Sequence, residues 1–191
     1  MAYGFNQETK SEKSNLPYFE AGIHENVSIE NIAFEESKEG SGNYVLAFYF
    51  KGANGEVFRH TEWEVKDEDP KIVDKIENLG KRVKHILTKF ILEEECILEG
   101  NSWSVFCKGV LKLVLGKYNT IKVAIKLVYG NNGYLQFTRY TGFIALDKKD
   151  LKIGKNEIII RPNTKPNTAD ELDKASSPSK SSDSDIDTMP F

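Results

Sequence analysis

Cysteine and histidine are scarce in this 191-residue sequence. The two cysteines, Cys96 and Cys107, do not form a CxxC pair, and His24, His60 and His85 are scattered along the chain without metal-ligand spacing. Two isolated thiols favour neither a disulfide framework nor a structural zinc site. We therefore expect no metal, no cofactor and no disulfide-stapled architecture.

Long hydrophobic runs are also missing. The mean hydropathy is −0.46, and no stretch approaches the roughly 18–20 consecutive apolar residues that span a bilayer. Residues 1–20 are mostly polar and contain no apolar run of signal-peptide length. These absences argue against a multi-span membrane protein, and they predict a cytoplasmic protein with no membrane partner.

The common catalytic motifs are absent as well. Gly116-Lys117 is not part of a phosphate-binding Walker A loop, because Leu111 stands where that loop requires glycine. No Ser/His/Asp or Cys/His set can be argued from spacing. The acidic run at residues 67–69 could bind a metal, but carboxylates at the start of a helix are explained by the helix dipole. The sequence therefore predicts a protein that is not an enzyme.

Charge is unevenly distributed, although the formal net charge is only −3. Residues 162–191 carry three lysines and six carboxylates, and residues 21–100 carry 10 basic and 17 acidic side chains. Residues 101–161, by contrast, carry 11 basic and only 3 acidic side chains. Such a basic excess favours a polyanionic partner, unless the basic and acidic segments neutralise each other within one fold. The charge alone leaves both interpretations open.

Strand signals occur on both sides of the middle of the chain. Runs of β-branched and aromatic residues are separated by turns rich in glycine, asparagine and serine. They predict strands beginning near Gly22, at residues 44–50, 56–65 and 120–129, and one or two strands within 134–146. A last edge strand is predicted at residues 158–160, before Pro162 stops it.

Helical periodicity interrupts this pattern after the third strand. Asp69-Pro70 suits the start of a helix, and apolar residues then recur at steps of three and four up to Ile91. A shorter helix is predicted from Ser102 to Leu115, where Gly116 follows as a stop signal. The two helices together form an insertion of about 50 residues between strands three and four.

This order of elements predicts a mainly β protein with an α insertion (α+β), and it suits the five-stranded OB-fold barrel. Long insertions also occur in other α+β folds, so the order alone leaves the exact fold open. We expect a flexible N-terminal arm at residues 1–20 and an OB-fold domain at 21–161 with its helical insertion at about 67–116. Residues 162–191 contain almost nothing to bury and predict a disordered acidic tail.

Cations and aromatic rings on the strands are the candidate binding residues for a polyanionic partner. If that partner is a single nucleic-acid strand, sequence-tolerant binding needs cations beside the phosphates and aromatic faces on which bases stack. Alternation along residues 120–129 places Lys122 and Lys126 opposite the apolar side chains, so we expect both to face solvent. Trp63 fits a core position as well as a stacking platform, and that alternative stays open. The candidate set is Arg59, Trp63, Lys122, Lys126, Tyr134, Arg139 and Tyr140.

The last nine residues form an unusual end for a polar tail. A Ser/Asp run is followed by Met189, Pro190 and Phe191, whereas disordered segments are usually poor in large apolar residues. Pro190 restricts the backbone before Phe191, which lowers the entropy lost on docking. The upstream aspartates would steer the tip toward a basic surface. This pattern predicts a short protein-binding peptide, with the residues Asp183, Asp185, Asp187, Met189, Pro190 and Phe191.

The C-terminal tip resembles that of bacterial and phage single-stranded DNA-binding proteins, whose tails typically end in several aspartates followed by Ile-Pro-Phe. The three aspartates, Pro190 and Phe191 match, while Met189 stands where isoleucine is usual and Thr188 interrupts the acidic run. The motif covers under a tenth of the chain, and the body matches in architecture only. Because the segment between strands three and four is longer than in common bacterial members, a phage-type variant fits better.

The resemblance implies a protein that coats and protects single-stranded DNA in replication, recombination and repair. It implies that the tail recruits partners such as polymerase, primase or helicase, in the cytoplasm of an infected host if the protein is phage-encoded. The oligomeric state stays open. The alternative is a protein-interaction module that docks on replication or host factors through its tail and binds no DNA.

Overall fold

The computed structural model describes residues 17–66, 68–138 and 142–162. Most of the N-terminal arm, the C-terminal tail with its Pro190-Phe191 tip, and the candidate binding residues Arg139 and Tyr140 lie outside the described residues. The described part consists of one antiparallel β-sheet and two α-helices, so the mainly β class with an α insertion is confirmed.

Within the described residues, six strands form the sheet. Their bounds are β1 Gly22–Glu36, β2 Tyr44–Lys51, β3 Val57–Trp63, β4 Lys122–Tyr129, β5 Leu135–Phe137 and β6 Ile144–Ala145. The hydrogen-bonded order is β3-β2-β1-β4-β5, and β6 also pairs with β4. The region predicted as one or two strands at 134–146 is therefore two short strands on the same neighbour. The edge strand predicted at 158–160 is reduced to a single bridge between Ile158 and Tyr129.

The first strand is long because it serves two neighbours. Residues 22–28 pair with β4, and residues 28–36 pair with β2. The register on β4 shifts between His24 and Val27, and Asn26 adopts a positive φ of 57° within that interval. Asparagine tolerates this left-handed conformation better than most residues, and such irregularities bend a strand. The bend lets β1 pass from one part of the sheet to the other, so that the sheet curls.

Two helices fill the connection between β3 and β4, as the periodicity predicts. They are α1 Ile72–Leu87 and α2 Trp103–Val114, and short 3-10 helices lie at Glu93–Glu95 and Lys148–Asp150. The carboxylate of Asp69 accepts the Lys71 N–H at 2.9 Å, so α1 starts slightly later than the Asp-Pro signal suggests. The Ser102 hydroxyl caps α2 by accepting the Val105 N–H at 3.3 Å.

The hydrophobic core lies between the concave face of the sheet and the two helices. Phe48 and Phe50 of β2 are fully buried there, and the ring centroids of Phe50 and Phe137 are 5.3 Å apart. The helices contribute one buried stripe each, as amphipathic helices do. Those stripes are Val83, Ile86 and Leu87 of α1 and Cys107, Val110 and Val114 of α2.

Candidate nucleic-acid interface

Because the sheet curls, its two terminal strands, β3 and β5, lie close to each other. The ring of Phe137 on β5 lies 5.1 Å from the ring of Phe58 and 4.8 Å from that of His60, both on β3. In the described residues β3 and β5 are not joined by a backbone ladder. A groove therefore runs between them, which we call the β3–β5 groove.

The tryptophan end of this groove is a cavity of about 450 Å³ lined by residues 58–63 of β3, residues 135–137 of β5 and Arg82 of α1. Trp63 lies at its rim and is 53% exposed, which decides the alternative left open by the sequence in favour of an accessible ring. A second hollow, which Trp63 also lines, is bordered by Lys75, Asn78 and Leu79 of α1. Trp63 therefore belongs to the lining of both hollows.

The tyrosine end continues the groove with a volume of about 560 Å³. It shares Phe58, Arg59 and Leu135 with the tryptophan end, so the two cavities are contiguous. Tyr18 and Tyr134 stand at its rim and are 70% and 71% exposed. The remaining lining residues with a charged group or a hydroxyl are Tyr49, Tyr129, Glu30, Arg59 and Arg161. Tyrosine rings and guanidinium groups are the side chains on which bases stack and phosphates pair.

Arg59 sits where the two ends of the groove meet. Its Nη2 donates to Oε1 of Glu35 at 2.7 Å, and its guanidinium carbon lies 5.8 Å from the centre of the Tyr49 ring. The Tyr49 hydroxyl donates to the same Glu35 oxygen at 2.5 Å. Burial and the hydrogen bond to Glu35 raise the pKa of Tyr49. This cluster holds Arg59 in place as a cation on the convex face of the sheet.

Beneath the tryptophan end lies a buried polar network. Oε1 of Glu62 is 2.8 Å from Nε2 of His60 and accepts from Nε of Arg82 at 2.8 Å. Nη1 of Arg82 also donates to the Thr138 carbonyl at 2.8 Å, and the guanidinium lies 5.2 Å from the Phe143 ring. Burial alone would raise the pKa of Glu62, but the hydrogen bond from His60 and the charge of Arg82 lower it. Arg82 thereby ties β3 to the residue after β5 and holds the groove walls together.

The exposure expected for Lys126 is wrong. Its side chain is buried, and its residue is only 6% exposed. Nζ donates to Oε1 of Glu157 at 2.6 Å and to the Lys152 carbonyl at 2.9 Å. Strand alternation places Lys126 on the convex face correctly, but residues 151–158 cross that face and cover it. Lys126 therefore attaches residues 151–158 to β4 and does not line the β3–β5 groove.

Lys122 is exposed, as expected, but lies outside the groove lining. It is in register with Ser28, Ser28 with Lys51, and Lys51 with Val57, so that these residues form one row across the convex face. Val57 lines the tyrosine end of the groove. Lys122 and Lys51 thus extend from the groove along the sheet, where Lys51 pairs with Glu30 at 3.0 Å.

The structure brings together only part of the candidate set. Arg59, Trp63 and Tyr134 share the groove, whereas Lys122 is separate and Lys126 is covered. The sequence reasoning missed Tyr18 and Arg161, which lie outside the predicted core strands. Their signal is weak: an aromatic residue after Pro17 and an arginine before Pro162 mark only the ends of the domain.

Two further findings concern the described part of the chain. None of its helices is both long enough and apolar enough to cross a membrane. Residues 17–66, 68–138 and 142–162 also contain no group of three histidine, cysteine or carboxylate side chains arranged to hold a metal ion. No protein-family model matches the sequence, and comparison with curated proteins gives no significant match.

Proposed function

We propose that the protein binds single-stranded DNA in the β3–β5 groove and coats it during replication, recombination and repair. The observation that carries this proposal is the alignment of Trp63, Arg59 and the exposed tyrosines along one continuous groove. Exposed aromatic side chains gathered along one groove often mark a ligand-binding site. Bases offer π-faces to all of them, which makes the binding tolerant of sequence.

The strand order supports an OB-type barrel as the finer description of the fold. In β3-β2-β1-β4-β5 the long β1 is shared between two neighbours, and the terminal strands approach each other through Phe58 and Phe137. The helical segment lies between β3 and β4. OB-folds bind oligonucleotides across the face of strands two and three, which here carries Tyr49 and Arg59.

In the proposed mechanism the protein binds and positions the DNA strand and catalyses no reaction. Tyr18, Tyr134 and Trp63 provide faces for successive bases, while Arg59 and Arg161 neutralise phosphates between them. The acidic C-terminal tail recruits replication and recombination proteins such as polymerase, primase or helicase. We place the protein in the cytoplasm, where the DNA it would coat is exposed.

A fluorescence titration with oligo-dT tests the proposal. The Trp103→Phe variant keeps Trp63 as the single reporter, since the half-buried Trp103 donates to the Tyr44 carbonyl and does not line the groove. We expect saturable quenching of Trp63 and an affinity that falls steeply with salt, because bound phosphates release counterions. Trp63→Phe serves as the matched control: its remaining Trp103 signal should stay nearly constant.

Variants of the groove localise the binding. Tyr134→Ser should weaken oligo-dT binding by about five- to a hundredfold, for the lost base stack. Arg59→Met should weaken it too and make its salt dependence shallower, for the lost phosphate contact. Lys112→Met, an exposed lysine on α2, should leave the affinity within about twofold. Absence of binding, both in the full chain and after deletion of residues 162–191, would reject the proposal in favour of an interaction module that acts through its tail.

A further inference from the structure

Arg59, the cation at the junction of the two groove ends, is already paired with a carboxylate in the free protein. Glu35 Oε1 lies 2.7 Å from Arg59 Nη2, and the same oxygen accepts the Tyr49 hydroxyl. The side chains of Arg59 and Glu35 are 38% and 33% exposed. A solvent-borne anion can therefore reach the pair.

The three side chains come from three adjacent strands. Tyr49 and Arg59 are in register on β2 and β3, whereas Glu35 lies near the end of β1 in register with Val45. Glu35 reaches diagonally across the convex face to meet them. The carboxylates that line the groove pair elsewhere: Glu30 lies 3.0 Å from Nζ of Lys51, and Glu62 lies 2.8 Å from Nε of Arg82. Glu35 is thus the acidic group placed against the arginine that would meet a phosphate.

We propose that Glu35 acts as an internal competitor for the phosphodiester at Arg59, and so limits the affinity of the groove for single-stranded DNA. This inference rests on the proposed function. A phosphate that approaches Arg59 must displace the Glu35 carboxylate or accept its repulsion. A carboxylate that is displaced takes up a cation from solution, which offsets part of the counterion release that drives binding, and one that stays repels the phosphate directly. Such a competitor favours exchange, so that a coating protein can be displaced from DNA.

Glu35→Gln removes the charge but keeps an acceptor for Tyr49 and Arg59. Exposed ion pairs have small energies, so we expect oligo-dT binding to tighten by about two- to fivefold at low salt. The plot of log affinity against log salt should become steeper by up to about 0.7, the contribution of one phosphate contact in single strands. In the Arg59→Met background the same substitution should change the slope little.

Glu25→Gln is the matched control for net charge. Glu25 pairs with Lys148 at 3.2 Å, both side chains are half exposed, and neither lines the groove. A thermal melt verifies that each variant folds. Affinity and slope for Glu35→Gln that equal those of Glu25→Gln, or weaker binding, would overturn the inference and assign Glu35 to positioning Arg59. A wild-type protein without saturable binding would instead defeat the proposed function, and the inference with it.

Discussion

Replacing Lys126 with methionine separates folding from binding in this protein. Methionine keeps most of the apolar length of the side chain but removes the ammonium group. The substitution deletes the contacts from Nζ to Glu157 Oε1 at 2.6 Å and to the Lys152 carbonyl at 2.9 Å. Residues 151–158 then lose their contacts with the Lys126 side chain, although the backbone bridge between Tyr129 and Ile158 remains.

The expected cost follows from these contacts. Removing one partner of a buried ion pair costs about 3–5 kcal/mol. Glu157 is not fully buried, since its side chain is 21% exposed, and its second oxygen keeps the Gly154 N–H at 2.7 Å. We therefore expect the free energy of unfolding to fall by about 2–3 kcal/mol, which lowers Tm by about 5–10 °C in a domain of this size.

Thermal denaturation followed by circular dichroism measures this effect, and an oligo-dT titration below the transition measures binding. Lys122→Met is the matched control on the same strand, because Lys122 is exposed and should change stability by less than about 0.5 kcal/mol. The reasoning fails if Lys126→Met melts like the wild type while its DNA affinity drops at least fivefold. That result would mean that Lys126 leaves Glu157 to reach the DNA.

Three further predictions concern folding. Burial and the nearby Lys89 lower the pKa of His85 from 6.5 to about 4, and the neutral Nε2 accepts the Gly142 N–H. The free energy of unfolding, measured with urea, should therefore fall as the pH drops from 6.5 toward 4. The fall should be smaller in His85→Gln. Glu62→Gln removes the buried negative charge that pairs with His60 and Arg82. It should cost about 2–4 kcal/mol in the same assay, and an unchanged unfolding midpoint would contradict the role of this network in stability. Asn26→Gly should leave the stability unchanged, whereas Asn26→Val should lower it by about 1–2 kcal/mol, because Asn26 has a positive φ. Equal unfolding midpoints for the two variants would contradict backbone strain at this position.

Periodicity and punctuation along the chain predicted most of the fold. The helices around residues 72–87 and 103–114 follow from apolar spacing and from Ser102, because these signals act within a few residues. The strands before and after the insertion follow from the same local information. The sequence did not predict that β1 pairs with both β2 and β4, because this pairing depends on a register shift near Asn26 and on contacts between distant segments.

The candidate site, too, depends partly on local sequence and partly on contacts between distant segments. Residue type and strand alternation by themselves selected Arg59, Trp63 and Tyr134, because stacking and phosphate pairing need particular side chains. Only the tertiary structure decided that these three share a groove, and that Lys126 is covered by the segment carrying Glu157. The physical reason is that alternation sets the face of a sheet on which a side chain lies. What later crosses that face depends on how the whole chain packs.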